Sequence, residues 1–148
     1  MAEFGYNDVQ TVQPGAACIL QDIRPCNKCP QLVVHDNLTP NLILRGIVKN
    51  ACGCNPRAQY NVAFAGNIAV TTGGTVGEIQ LALSVNGFVR PLTIGAATPA
   101  AVEEFWHVGG DTTIDVPMGC CTDVALVNAS TGTAIDVRNL NVKVSRVA

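Results

Sequence analysis

The sequence predicts an all-β chain folded as an antiparallel two-sheet jelly-roll sandwich, and three observations predict it. Apolar residues alternate with small polar ones at period two over long stretches. Turns rich in glycine and asparagine interrupt those stretches at short intervals. Helical periodicity is almost absent: the one weak helix candidate, Pro99–Val108, also alternates as a strand through Val102, Glu104, Trp106 and Val108.

Taken in chain order, Met1–Asp8 is expected to be an N-terminal arm, with a single sandwich domain over 9–148. Short strand candidates follow at Val9–Val12, Ala17–Leu20, Leu32–His35 and Leu42–Val48, around a cysteine-rich loop region at about 24–57 punctuated by Pro25, Pro30 and Pro40. Tyr60, Val62, Phe64, Ile68 and Val70 keep one parity, and after the turn Thr71–Gly74 so do Ile79, Leu81, Leu83 and Val85. Asn86-Gly87 supplies the residues of a type I′ hairpin leading into Phe88 and Val89. Gly109-Gly110-Asp111 is expected as a turn before Ile114 and Val116, and Pro117-Met118-Gly119 as another before Thr122, Val124 and Leu126. Ile135 and Val137, then Leu140, Val142 and Val144, close the chain. The total of about eight to ten short strands at this spacing is that of a sandwich or barrel.

Composition narrows the function classes. Of 148 residues only 14% are charged, against about 25% in an ordinary soluble domain, while 48% are hydrophobic. The net charge of -2 carries no basic footprint for nucleic acid, and high hydrophobicity with low net charge excludes intrinsic disorder. A chain with so few charges to cover its outside is expected to bury surface against other subunits. The longest charge-free stretch, Ala58–Gly77, holds Asn61, Asn67, Thr71, Thr72 and Thr75 and makes a poor membrane span. The first ten residues lack the basic and apolar regions of a secretory signal, so no membrane partner is expected, and the chain is expected to stay in the cytoplasm where it is made or to leave without a cleaved peptide.

Four segments carry a resemblance: Arg57–Val70, Thr71–Gly77, Leu81–Gly87 and Ala134–Ala148. An aromatic-bearing strand, a Gly/Thr turn, a strand ending in Asn-Gly and a closing strand of alternating valines together resemble the trimeric jelly rolls of the C1q/TNF type. Thr11–Gly15, Leu44–Gly46, Pro99–Glu104, Asp115–Cys121 and Arg146–Ala148 are similar to a pattern in small proteins encoded beside capsid genes in phages and prophages of gut Firmicutes. The resemblance implies a non-enzymatic virion surface protein, a homotrimer made in the host bacterial cytoplasm that decorates or cements a capsid or forms a head fibre. Its partners would be itself and the major capsid protein or other virion proteins. Phe4 and Tyr6 on the arm are the expected contacts to a capsid or a neighbouring subunit. The other reading is a carbohydrate- or receptor-binding jelly-roll module on a phage or spore surface. Phe105 and Trp106, the one adjacent aromatic pair, are its expected interface or glycan contact.

Cys26, Cys29, Cys52 and Cys54 form two close pairs on separate loops. Four such thiols fit a structural zinc, one or two disulfides, or free thiols, and the spacing leaves the three open. Of Cys120-Cys121, adjacent on a strand, one is expected in the core and the other outward. Cys18 is expected in the core. Catalytic residues are not expected: His35 and His107 are the only histidines and neither is spaced to pair with a particular thiol. Glu103-Glu104 diverge if they lie on a strand, and Asp111, Asp115 and Asp123 lack the glycine-bearing loop of a calcium site. No resident cofactor is expected beyond the open question of zinc.

Overall fold

A computed structural model describes residues 2–24, 32–48 and 56–147. Twelve strands account for the regular structure: β1 (Ala2–Tyr6), β2 (Gln10–Val12), β3 (Gln21–Arg24), β4 (Val33–Val34), β5 (Leu42–Arg45), β6 (Arg57–Val70), β7 (Ile79–Val85), β8 (Phe88–Val89), β9 (Gly95–Ala97), β10 (Trp106–Pro117), β11 (Cys121–Asn128) and β12 (Ile135–Arg146). A short 3₁₀ turn, Pro91–Thr93, is the one helical element among them. The strands form two antiparallel sheets. The first has the order β10-β6-β12-β1-β3, with β2 also on β12; the second has β4-β5-β11-β7-β8, with β9 also on β7.

The parity of the long strands decides the packing. Along β6, Ala58, Tyr60, Val62, Phe64, Ile68 and Val70 turn inward, and from β12 so do Ile135, Val137, Val142 and Val144. Leu42 and Leu44 of β5, Leu81 and Leu83 of β7, and Val124 and Leu126 of β11 meet them from the second sheet, and all are buried. Period-two patterning therefore builds one apolar layer between two sheets, as in aligned β-sandwiches.

Three expectations need correction. The segment taken for an arm is β1, an interior strand: Phe4 pairs with Val142 on one side and Asp22 on the other, and is 3% exposed. Only tertiary pairing with the far end of the chain makes it a strand. Gly109-Gly110 is not a turn but the middle of the continuous strand β10. A Cβ at Gly110 would stand 2.8 Å from the Thr93 carbonyl oxygen, and one at Gly109 2.9 Å from that of Phe64, so glycine here serves close approach instead of reversal. Finally, Cys120 and Cys121 are both exposed, because the Pro117–Gly119 turn holds them at the rim of the sandwich. Cys18 lies in the core as expected.

The two C-terminal apolar runs merge into β12 across an irregularity between Arg138 and Asn141, where Asn139 takes a φ of +53°. The expected hairpin at Asn86-Gly87 is present, with φ of +52° and +86°. The irregular N-terminal half is tied down by polar contacts. Gln10 brackets Ile19, donating from Nε2 to its carbonyl at 3.0 Å and accepting its N–H at 2.8 Å. The Tyr60 hydroxyl reaches out of the core to the carbonyls of Arg45 (2.5 Å) and Leu32 (3.2 Å). Burial raises the Tyr60 pKa, with Arg146 and Arg45 pulling it back part of the way.

Candidate functional site

Of the residues singled out from the sequence, Cys26, Cys29, Cys52 and Cys54 lie outside the described residues. Phe4 sits in the core against the edge of the His35 ring, with centroids 5.0 Å apart, and Tyr6 is partly buried against the same core. Phe105 and Trp106 stand at the start of β10. The Arg138 guanidinium lies 3.9 Å from the Phe105 ring centre. Trp106 is half exposed, and its indole N–H donates to Glu104 Oε1 at 3.1 Å. The other Glu104 oxygen accepts the N–H groups of Ala100 and Ala101 at 3.0 and 3.2 Å. This carboxylate therefore organises the loop that presents the aromatic pair.

The histidines are held by polar partners. His35 Nδ1 lies 2.5 Å from Asp22 Oδ1 and its Nε2 lies 2.8 Å from the Thr39 carbonyl. His107 Nδ1 faces Asn67 Oδ1 at 3.2 Å. Burial pushes the Cys18 thiol up to about 12, which makes it a poor nucleophile. Among the described residues, no group of three or more His, Cys, Asp or Glu side chains could hold a metal, and no helix is long and apolar enough to cross a membrane.

Three surfaces stand out instead. The first is the outer face of the first sheet. Asn61, Ala63, Ala65 and Asn67 of β6 lie half-buried along its middle, and Gly109 and Thr113 of β10 are paired beside them. No described strand lies over this face. At one end a polar ladder crosses three strands and reaches the residue after β1: His107 to Asn67, Asn67 to Asn139 at 3.2 Å, and Asn139 to Asn7 at 2.9 Å.

The second is a ridge at the side of the sandwich. Phe88 is 78% exposed and Leu92 98% exposed, with Val89 and Ile94 between a third and two-fifths exposed beside them. The ridge is rigidly placed. The Thr93 hydroxyl accepts the Leu83 N–H at 3.0 Å and donates to the Arg90 carbonyl at 2.7 Å, while Gly95 and Gly110 let the turn settle on β10. With Thr93 drawn inward, Leu92 must face out. In sequence, Phe88, Val89, Leu92 and Ile94 are interleaved with Arg90, Pro91 and Thr93 without strand alternation, so which of them face solvent is decided only by the fold.

A groove of about 530 Å³ crosses the outer face of the second sheet. Its floor is the directly opposed pair Ser84 and Ala125 with Val127, all buried although they point away from the core. Val89 and Ile94 form one wall, Gly15, Ala17 and Asn41 the other, and Asp123 closes one end. Sequence reading passed over this groove, because it depends on Ala17 bridging to Val127 across the chain.

No family model matches the chain, and no curated protein matches it. Among solved structures, the fold is similar to that of Eiger TNF from S. frugiperda, at 11% identity and a TM-score of 0.64 over 99% of this chain and 91% of that one. The C-terminal domain of EclA, a sugar-binding protein, matches at 18% identity and a TM-score of 0.37 over 81% and 89%. The CBM22-1 xylan-binding domain of Paenibacillus barcinonensis Xyn10C matches at 10% and 0.37 over 99% and 87%. The last two overlaps are too loose to carry an argument. The first agrees with the two-sheet topology: the chain is a jelly roll of the TNF type.

Proposed function

We propose that this chain is a non-enzymatic structural protein that works by assembling, as a homotrimer on a virion surface. The observation that carries the assembly reading is the ridge of Phe88, Val89, Leu92 and Ile94, fixed in place and left in solvent. The ridge and the flat small-residue face of the first sheet are different surfaces. Contact between two different surfaces is heterologous, and a heterologous contact that closes makes a ring. Three copies, each laying its ridge on the next copy's face, satisfy both surfaces at once. The low charge content is then the expected composition of a subunit surface.

Burial of a side chain like Leu92 or Phe88 contributes about 1.5–3 kcal/mol, so the pair adds several kcal/mol at each of three contacts. Native mass spectrometry and light scattering at micromolar concentration test this: a species three times the 15.5 kDa protomer is expected. The double variant Phe88→Ser, Leu92→Asp is expected to run as a folded monomer. A wild-type protein that is monomeric throughout that range rejects the assembly. The virion assignment, with the major capsid protein or other virion proteins as partner, rests on the motif resemblance given above. Mass spectrometry of particles purified from the strain that encodes the chain tests it separately, with its peptides expected at stoichiometric abundance.

A further inference from the structure

We infer that the groove on the second sheet is a binding site for a small neutral polyhydroxylated ligand, of the size of a mono- or disaccharide. Its volume of about 530 Å³ falls inside the span of small-molecule sites, about 300–1,000 Å³. The groove is built, not accidental. Small residues at Ser84 and Ala125 recess the floor, where β-sheets usually project larger polar side chains. The Asn86-Gly87 turn is locked to the groove's end by two bonds, from the Asn86 N–H to the Asp123 carbonyl at 2.7 Å and from the Asp123 N–H to Asn86 Oδ1 at 3.0 Å.

The polar inventory defines the ligand. Asp123 Oδ1 is buried and has no hydrogen-bond partner among the described residues, the one side-chain atom there in that position. A carboxylate oxygen only accepts, so the missing partner is a donor, and leaving it unmade is costly. Asp123 lines the groove, and the inferred partner of this oxygen is a hydroxyl bound there. Ser84 Oγ donates to the Ala125 carbonyl at 3.4 Å and keeps its lone pairs for a second hydroxyl. No lysine or arginine lines the groove, which disfavours phosphates and acids. Val89, Ile94 and Val127 supply an apolar wall and floor for the C–H face of a ring. An extended peptide fits less well, because the groove runs over a sheet face, where backbone donors and acceptors are already paired within the ladder. The groove shares Val89 and Ile94 with the ridge of the proposed assembly, whereas its floor, Ser84 and Ala125, and its acceptor, Asp123, belong to β7 and β11, so binding is expected in the monomeric Phe88→Ser, Leu92→Asp variant as well.

The test is an NMR titration of the isotope-labelled full chain with glucose, galactose, mannose, N-acetylglucosamine, lactose and cellobiose at about 10 mM each, with putrescine as a cationic control. Shifts confined to Ser84, Val89, Ile94, Asp123 and Ala125 are expected for at least one sugar. Ala125→Leu, which fills the floor, is expected to abolish them, and Asp123→Asn to weaken binding about tenfold while its spectrum stays folded. Asp123→Asn carries the test if the leucine variant does not fold. Absence of shifts with every sugar, shifts centred on Trp106, insensitivity to Asp123→Asn, or preference for putrescine would each overturn the inference. Protomer number, read on the same samples by light scattering, keeps this outcome separate from that of the assembly proposal.

Discussion

Replacing Cys18 by alanine is expected to remove a large part of the protein's sensitivity to alkali. The Cys18 side chain is fully buried, and burial moves its thiol from an ordinary 9.0 to about 12. The folded state therefore holds a proton that the unfolded chain gives up more readily. Such a group stabilises the fold in full below about pH 9 and loses that contribution as the pH climbs toward 12. At about 1.36 kcal/mol per pH unit the whole effect is about 4 kcal/mol, of which about 2 kcal/mol is gone by pH 10.5. Urea unfolding under reductant, at pH 8 and pH 10.5, measures it. The alanine variant begins about 1 kcal/mol less stable, from the lost sulfur packing. Wild type is expected to lose about 2 kcal/mol more than the variant between the two conditions, a difference of about 1 M in urea midpoint. Equal losses in both proteins would refute the reasoning, because they would mean that the thiol meets the same environment folded and unfolded.

Three further outcomes are expected. Gly46→Ala is expected to destabilise by about 2–4 kcal/mol in urea unfolding, since a Cβ there overlaps the Pro117 carbonyl and neither backbone can yield cheaply. Tyr60→Phe is expected to cost about 1–2 kcal/mol by removing the donor to the Arg45 carbonyl. It should also flatten the stability loss above pH 10, because the raised Tyr60 pKa favours the fold only while the phenol stays protonated. In native buffer, mass spectrometry after brief iodoacetamide treatment is expected to find Cys120 and Cys121 modified and Cys18 intact, with Cys18 reacting only in denaturant.

The central strands were legible because their information is local. Alternation from Tyr60 to Val70 and from Ile79 to Val85, and Asn-Gly between strands, state period and turn without reference to the rest of the chain. What failed was set by distant partners. Ala2–Tyr6 shows no alternation worth the name, and becomes a strand because residues 140–144 and 21–24 supply both its edges. Gly109-Gly110 looks like a turn in sequence, yet both sit in mid-strand, Gly110 against the Thr93 carbonyl of the turn at Pro91–Thr93 and Gly109 against the Phe64 carbonyl of β6. The adjacent thiols were assigned to opposite faces by strand parity, which does not operate where Cys120 still belongs to a turn. The candidate surfaces divided in the same way: the low charge content pointed to an interface, whereas the ridge and the groove needed the fold to bring Thr93, Ala17 and Asp123 into place.

The position of β12 has a consequence for how the molecule comes into being. It lies between β6 on one side and β1 and β2 on the other, so Glu3 meets Asn141 and Thr11 meets Asp136 across 138 and 125 residues of chain. As the chain leaves the ribosome, β5, β7 and β11 are all present while β1, which has only β3 beside it, and β2 still wait for β12. Half of the sandwich must stay open until the residues after 134 emerge, leaving the edge of β6 unpaired in the interval. Closure over such separations is slow, on the order of milliseconds to seconds. The fold is thus completed from its last strand, and any trimer can begin only after that strand is in place.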